Sequence, residues 1–259
     1  MNADFVTAGG HRLEVKHIGG NAALPTLVFL HEGLGSVSLW RDFPDKLAAA
    51  TGAPAVVYSR YGYGKSDRLQ GARTVDYMHT EALTVLPELR RKLRLDKIVL
   101  VGHSDGASIV LIHASRWPVR GLILEAPHLF VEDITIDSIA AAKRAYEETD
   151  LGKRLARHHD DPDGAFWGWN RIWLDPAFRA WNIEDHARGV RCPVLAIQGA
   201  DDAYGTQAQP DALARDLASP FESVVLPGCG HSPHRDQEAA TLAAMTAWWN
   251  TRIGNKIRR

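Results

Sequence analysis

The chain has 259 residues, 45% of them hydrophobic, and a formal net charge of −1. That length suits one α/β domain with an insertion, or at most two small domains, with enough apolar chain for a sizeable core. The near-neutral balance supplies no global field for nucleic acid or an anionic membrane, and two cysteines are too few for a disulfide framework.

Reduced thiols point to a cytoplasmic setting. Met1-Asn2-Ala3-Asp4 has neither the basic start nor the apolar stretch of a secretory leader. No apolar run approaches the ~20 residues of a membrane helix. Phe5 to Ile18 alternates loosely around Gly9-Gly10 and reads as a hairpin. Short apolar runs then suit buried parallel strands: Leu27–Leu30, Ala55–Tyr58, Ile98–Val101, Leu122–Leu124, Val194–Ile197 and Val224–Leu226. Helical segments alternate with them over Leu39–Ala50, Val75–Leu93, Ser104–Arg116, Ala208–Leu217 and Glu238–Trp249. The expected fold class is α/β, a mostly parallel central sheet with helices on both faces. Lys256, Arg258 and Arg259 read as a frayed basic tail.

One interval breaks the rhythm. Between Ala126-Pro127 and Cys192-Pro193 about 65 residues carry no strand candidate, too many for a plain connection. Helical stretches such as Ile134–Glu148, and Trp167, Trp169, Trp173 and Trp181, predict a helical cap over the sheet's active edge. The division expected is a core of residues 1–127 and 190–259, with a lid of 128–189.

The chemistry concentrates at Gly102-His103-Ser104-Asp105-Gly106, between the apolar run Ile98–Val101 and a helical segment. G-x-S-x-G in a strand–turn–helix context is a nucleophile elbow, with glycines letting the backbone pass closely enough to hold Ser104 in a strained conformation. A serine hydroxyl needs a base, and the base a third group to orient it. His231 sits on the Gly-flanked loop after the last strand candidate, in a better context than His234 or the elbow-bound His103. The acid belongs after the penultimate strand, where Asp201 and Asp202 are both available. The oxyanion would take one N–H from Asp105 and one from the loop His31-Glu32-Gly33-Leu34, with Gly33 preferred to Leu34.

These landmarks, with Arg60-Tyr61-Gly62-Tyr63-Gly64-Lys65-Ser66 and Gly199–Asp202, resemble the α/β-hydrolase superfamily over nearly the whole chain. The likeness is to its small lid-bearing branch of esterases, lactonases and carbon–carbon bond hydrolases. That resemblance implies Asp202 as the acid and Gly33 as the oxyanion donor. Two residues depart from the pattern: Glu32 stands where glycine is common, and Asp105 where Met, Leu or Gln is common. Both carboxylates should point away from the oxyanion, with Asp105 favoured at a helix N-terminus.

The expectation is therefore a serine hydrolase acting through an acyl-enzyme on a small carboxylic ester or lactone, with no cofactor, metal, nucleic-acid or membrane partner. The rivals are carbon–carbon bond hydrolysis of a ring-cleavage dienoate and a ligand-binding protein on a retained hydrolase fold. Glu32, Trp40, Trp167, Trp169 and Trp173 are the candidate substrate contacts. His158-His159-Asp160-Asp161 reads as an exposed turn, and Arg60, Lys65 and Asp67 as a structural ion pair or solvated charges.

Overall fold

Gly9 and Gly10, both at positive φ, turn strand β1 (Asp4–Ala8) back antiparallel onto β2 (His11–Ile18). The computed structural model describes residues 4–254, so the start of the chain and the basic tail lie outside it. β2 pairs antiparallel with β4 (Ala55–Tyr58), and every later pairing is parallel. β3 (Thr26–Leu30), β5 (Ile98–His103), β6 (Gly121–Glu125), β7 (Val194–Gly199) and β8 (Phe221–Leu226) complete an eight-stranded sheet in the order β1-β2-β4-β3-β5-β6-β7-β8.

The inner strands are buried on both faces, which is why they read as continuous apolar runs. Alternation sends Leu27 and Phe29 to one face, under α1 (Phe43–Thr51) and α11 (Glu238–Arg252), which the short α10 (Pro233–Asp236) precedes. Val28 and Leu30 go to the other, under α2 (Tyr77–Thr80), α3 (Leu86–Lys92), α4 (Asp105–Ala114) and α9 (Ala208–Asp216).

Prolines explain two departures from the expected helices. Leu39–Ala50 would place Pro44 inside a helix, where its ring clashes with the preceding turn; α1 instead starts at Phe43, with Pro44 in its first turn. The Val75–Leu93 segment bears Pro87, and a π-helical turn over Glu81–Val85 joins α2 to α3 just before it. β8 begins three residues earlier than its apolar run, because Phe221–Ser223 lie on an edge strand that is only partly buried.

Between β6 and β7 the chain forms α5 (Asp133–Glu148), α6 (Leu151–Leu155), α7 (Pro162–Trp173), a 3-10 turn (Pro176–Ala180) and α8 (Glu184–Ala187). The two ends of this insertion are tied together by a Phe130–Asn182 β-bridge and by the Ile183 N–H donating to the Leu129 carbonyl at 2.7 Å.

Candidate active site

β5 ends in the elbow. Ser104 has φ 53° and ψ −118°, a conformation rare outside glycine, and its N–H donates to the Glu125 carbonyl at 2.9 Å. A Cβ at Gly102 would lie 2.4 Å from the Gly106 carbonyl oxygen, and one at Gly106 would lie 2.1 Å from that of Leu30. Only glycine fits at either position, and the turn stays sharp.

The Ser104 hydroxyl lies 2.9 Å from His231 Nε2, and His231 Nδ1–H donates to Asp202 at 2.8 Å. Asp202 is itself fixed by the Gln198 amide at 2.8 Å and by the Tyr204 N–H at 2.8 Å. Burial acts to raise the Asp202 carboxyl, yet the hydrogen bonds from His231 and Tyr204 hold it below the usual carboxylate range. Asp201 is exposed, and its backbone N–H donates to the Cys229 carbonyl.

Across from the elbow, the Glu32 carbonyl accepts from His31 Nδ1–H at 2.7 Å, Arg60 Nη2 at 2.8 Å and the Gly35 N–H at 3.1 Å. A trans peptide is planar, so holding that C=O aims the Gly33 N–H the opposite way. A Cβ on Gly33 would meet the Trp169 ring at 2.2 Å, so the loop passes too close to α7 for any side chain. Arg60 is fully buried, and its Nη2 also stands 3.6 Å from Asp105 Oδ2. Asp105 Oδ2 accepts from the Tyr77 hydroxyl at 2.7 Å, and Trp173 Nε1–H donates to that hydroxyl at 3.1 Å. One chain of contacts thus links both expected oxyanion donors to α7.

Ser104 and His231 open into a cavity of about 180 Å³ whose lining includes Glu32, His128, Ile139, Trp169, Trp173 and Tyr204. Among the described residues no group of three or more His, Cys, Asp or Glu is arranged to hold a metal ion, and no helix is long and apolar enough to cross a membrane.

The alpha/beta hydrolase family model matches residues 27–244. The chain belongs to that family. It is 36% identical over 269 aligned residues to a proline iminopeptidase of Levilactobacillus brevis, covering 87% of this chain and 88% of that one. It is 30% identical over 129 residues to the mouse 1-acylglycerol-3-phosphate O-acyltransferase ABHD5, a match covering 48% of this chain and about a third (36%) of that protein's length. The fold is shared with a thermophilic esterase from Thermogutta terrifontis, at a TM-score of 0.76 and 19% identity, over 98% of this chain and 100% of that one.

Several sequence expectations for this hydrolase need correction. Trp40 does not reach the cavity; it packs beneath the sheet, with ring centroids 5.3 Å from Phe29 and 4.5 Å from His234. Trp167 also lies elsewhere, in a surface groove with Arg171 stacked 5.2 Å from its ring. Residues 169 and 173 share a face of α7, while 167 is roughly 200° round the helix from 169. Trp181 stacks on Phe178 in the insertion's core.

The His158–Asp161 turn is not wholly exposed. His159 is buried and bridges two loops, accepting from the Gly64 N–H at 3.0 Å and donating to the Leu34 carbonyl at 3.0 Å. Of the charges on the loop after β4, Arg60 is buried against Asp105 and Asp67 pairs with exposed Arg12, as structural ion pairs.

Beneath the triad, His103 Nε2–H donates to the His231 carbonyl at 2.6 Å, and Nδ1 faces Glu32 Oε2 at 3.4 Å. Burial acts to neutralise His103, but Glu32 and Glu125 prevail and push it up to about 9. Glu32 is opposed by burial and held ionised by His103, far below the usual carboxylate range. His234 pairs with Glu125 at 2.8 Å and stays away from Ser104. His128, which is not among the sequence candidates, also lines the cavity. It is buried, its Nδ1 has no hydrogen-bond partner among the described residues, and burial lowers it to about 3.

Proposed function

We propose that this alpha/beta hydrolase is a serine hydrolase that acts through an acyl-enzyme on a small carboxylic ester or lactone. The observation that carries the reading is the Ser104–His231–Asp202 chain of hydrogen bonds at a strained elbow. Ser104 Oγ attacks the carbonyl carbon while its proton passes to His231 Nε2. Asp202 holds the Nδ1 proton, keeps the imidazole in the required tautomer and stabilises the imidazolium. The N–H groups of Gly33 and Asp105 receive the oxyanion. The alcohol leaves with the proton from His231, and water, activated by the same base, attacks the acyl-enzyme and releases the acid. No cofactor enters any step.

A cavity of about 180 Å³ favours a small substrate. Trp169 and Trp173 belong to the substrate wall, and residues 128–189 act as a lid on a core of 1–127 and 190–259. The partner is a small molecule rather than nucleic acid or membrane, in the cytoplasm. Ring-cleavage dienoates carry a carboxylate, and no Lys or Arg side chain is among the described lining residues to meet it. Proline iminopeptidase activity is the second reading, favoured by the 36% identity to the lactobacillar proline iminopeptidase.

A fluorophosphonate probe tests the reading, since only an activated serine reacts quickly. Wild type should gain a single adduct on Ser104, read by peptide mass. Ser104→Ala should block it, keep the fold and lower kcat on ester substrates roughly 10⁴-fold or more. Absence of labelling, or retained activity in Ser104→Ala, sinks the proposal and favours a binding protein on a hydrolase scaffold.

A further inference from the structure

Glu32 lines the Ser104 cavity, and its carboxylate faces the buried His103 imidazole at 3.4 Å. That contact is an ion pair, and His103 Nδ1 has no hydrogen-bond partner among the described residues. A desolvated carboxylate is costly unless donors reach it, so native structures supply them from protein, water or ligand.

The pair is also oriented. The Glu32 side chain is 19% exposed, that of His103 0%, so the negative end meets the cavity and the positive end is sealed behind it. No Lys or Arg among the described lining residues offsets this charge. Asp105, the other lining carboxylate residue, turns its side chain to Tyr77 and Arg60 and leaves its backbone toward Ser104. The cavity therefore presents a carboxylate whose counter-charge, His103, is sealed behind it, on the residue next to the proposed oxyanion donor Gly33.

We propose that Glu32 selects the substrate's acyl group: it receives a hydrogen-bond donor, an ammonium or hydroxyl close to the scissile carbonyl, and excludes acyl groups that carry a carboxylate there. This rests on the serine-hydrolase reading. It places the substrate among amino- or hydroxy-substituted acyl compounds rather than simple fatty esters or dicarboxylates.

Three ethyl esters of similar size make the test: 3-aminopropanoate, butanoate and the half-ester of malonate. Ethanol release is followed with Ser104→Ala as the blank. Comparing wild type with Glu32→Gln for each ester cancels the esters' different intrinsic reactivities. The cation-to-anion ratio of kcat/KM should fall on the order of 100-fold in Glu32→Gln, as removal of one nearby charge implies. Glu32→Asp, which keeps the charge on a shorter arm, should retain most of the wild-type ratio. An unaltered ratio in Glu32→Gln, with butanoate still hydrolysed, overturns the selection role alone and leaves the hydrolase reading intact. Absence of Ser104-dependent hydrolysis of all three esters takes both down.

Discussion

The two ends of the sheet hold cavities of opposite character. At the N-terminal ends of the strands lies a groove of about 720 Å³, four times the volume of the Ser104 cavity (720 against 180) and lined by Lys97, Arg116, Arg120, Arg191 and Arg252. Its cations have ordinary solutions. Lys97, Arg116 and Arg120 are exposed, Arg191 donates to backbone carbonyls, and Arg252 pairs with Glu222. Arg116 follows the last turn of α4 and Arg252 ends α11, where the helix dipole favours positive charge. At the Ser104 end, His103 Nδ1, His128 Nδ1 and Asp105 Oδ1 are buried and lack hydrogen-bond partners among the described residues. Cavity size therefore misleads in this molecule. What distinguishes the Ser104 end is a cluster of buried ionisable groups beside a residue in a strained backbone conformation.

That contrast is broken most severely at the acid. Asp202 is side-chain-buried and spends both oxygens on His231, whereas Asp201 contributes only its backbone. Asp202→Asn should lower kcat by roughly 10²–10⁴-fold through loss of the tautomer control expected of a triad carboxylate. Asp201→Asn should stay near wild type. Steady-state kinetics on one ester decides it, and a larger loss at Asp201 would reverse the assignment.

A smaller effect is expected at Arg60, which holds the Glu32 carbonyl and is not among the described lining residues of the Ser104 cavity. Arg60→Met removes the anchor of the Glu32 carbonyl and strands the Asp105 carboxylate, so it should destabilise the fold by roughly 3–5 kcal/mol, as breaking a buried pair does. Arg60→Met with Asp105→Leu removes both charges and should recover most of that stability. Its kcat should nevertheless remain about 10- to 100-fold low, with KM changed little, because the Gly33 N–H is no longer aimed. Full recovery of kcat in the double variant would reduce Arg60 to charge compensation.

Much of this was legible in the chain, for identifiable reasons. Buried parallel strands announce themselves as apolar runs, and the elbow and Gly-flanked His231 are short-range patterns. The tryptophans between β6 and β7 stand out as a group in the sequence, but the α7 face that separates Trp169 and Trp173 from Trp167 needs the helical period applied to each residue. Trp40 was misplaced because proximity to the oxyanion loop in sequence says nothing about which face of β3 its side chain packs against. Arg60 and His128 left almost no local signal, since their partners lie on other elements. One clue was available: Asp105, a charge beside the oxyanion, demands a counter-ion, and the loop after β4 is two strands away.

The smallest effect concerns stability against pH: His128 and His103, beside Ser104, have opposed shifts, and buried His113, near the end of α4, is lowered to about 4 by burial. His128 is lowered to about 3 by burial, so folding favours its neutral form. Its contribution is complete above the unfolded value near 6.5 and is lost as pH falls toward 3. Burial lowers His31 in the same direction. His103 is raised to about 9 by Glu32 and Glu125 against the effect of burial, so folding favours its charged form. That contribution is complete below about 6.5 and is lost as pH climbs through 9. Stability should therefore peak near pH 6.5 and decline on both sides, by an order of a few kcal/mol per limb. Urea midpoints between pH 4 and pH 9.5 measure it. His128→Asn should flatten part of the acid limb and leave the alkaline limb, whereas His103→Gln made together with Glu32→Gln, which removes the carboxylate that His103 holds ionised, should flatten the alkaline limb. Substituting exposed Arg116 at the opposite groove should shift neither limb. An alkaline limb that survives in this double variant would show that the Glu32–His103 pair is not ionised as the geometry requires.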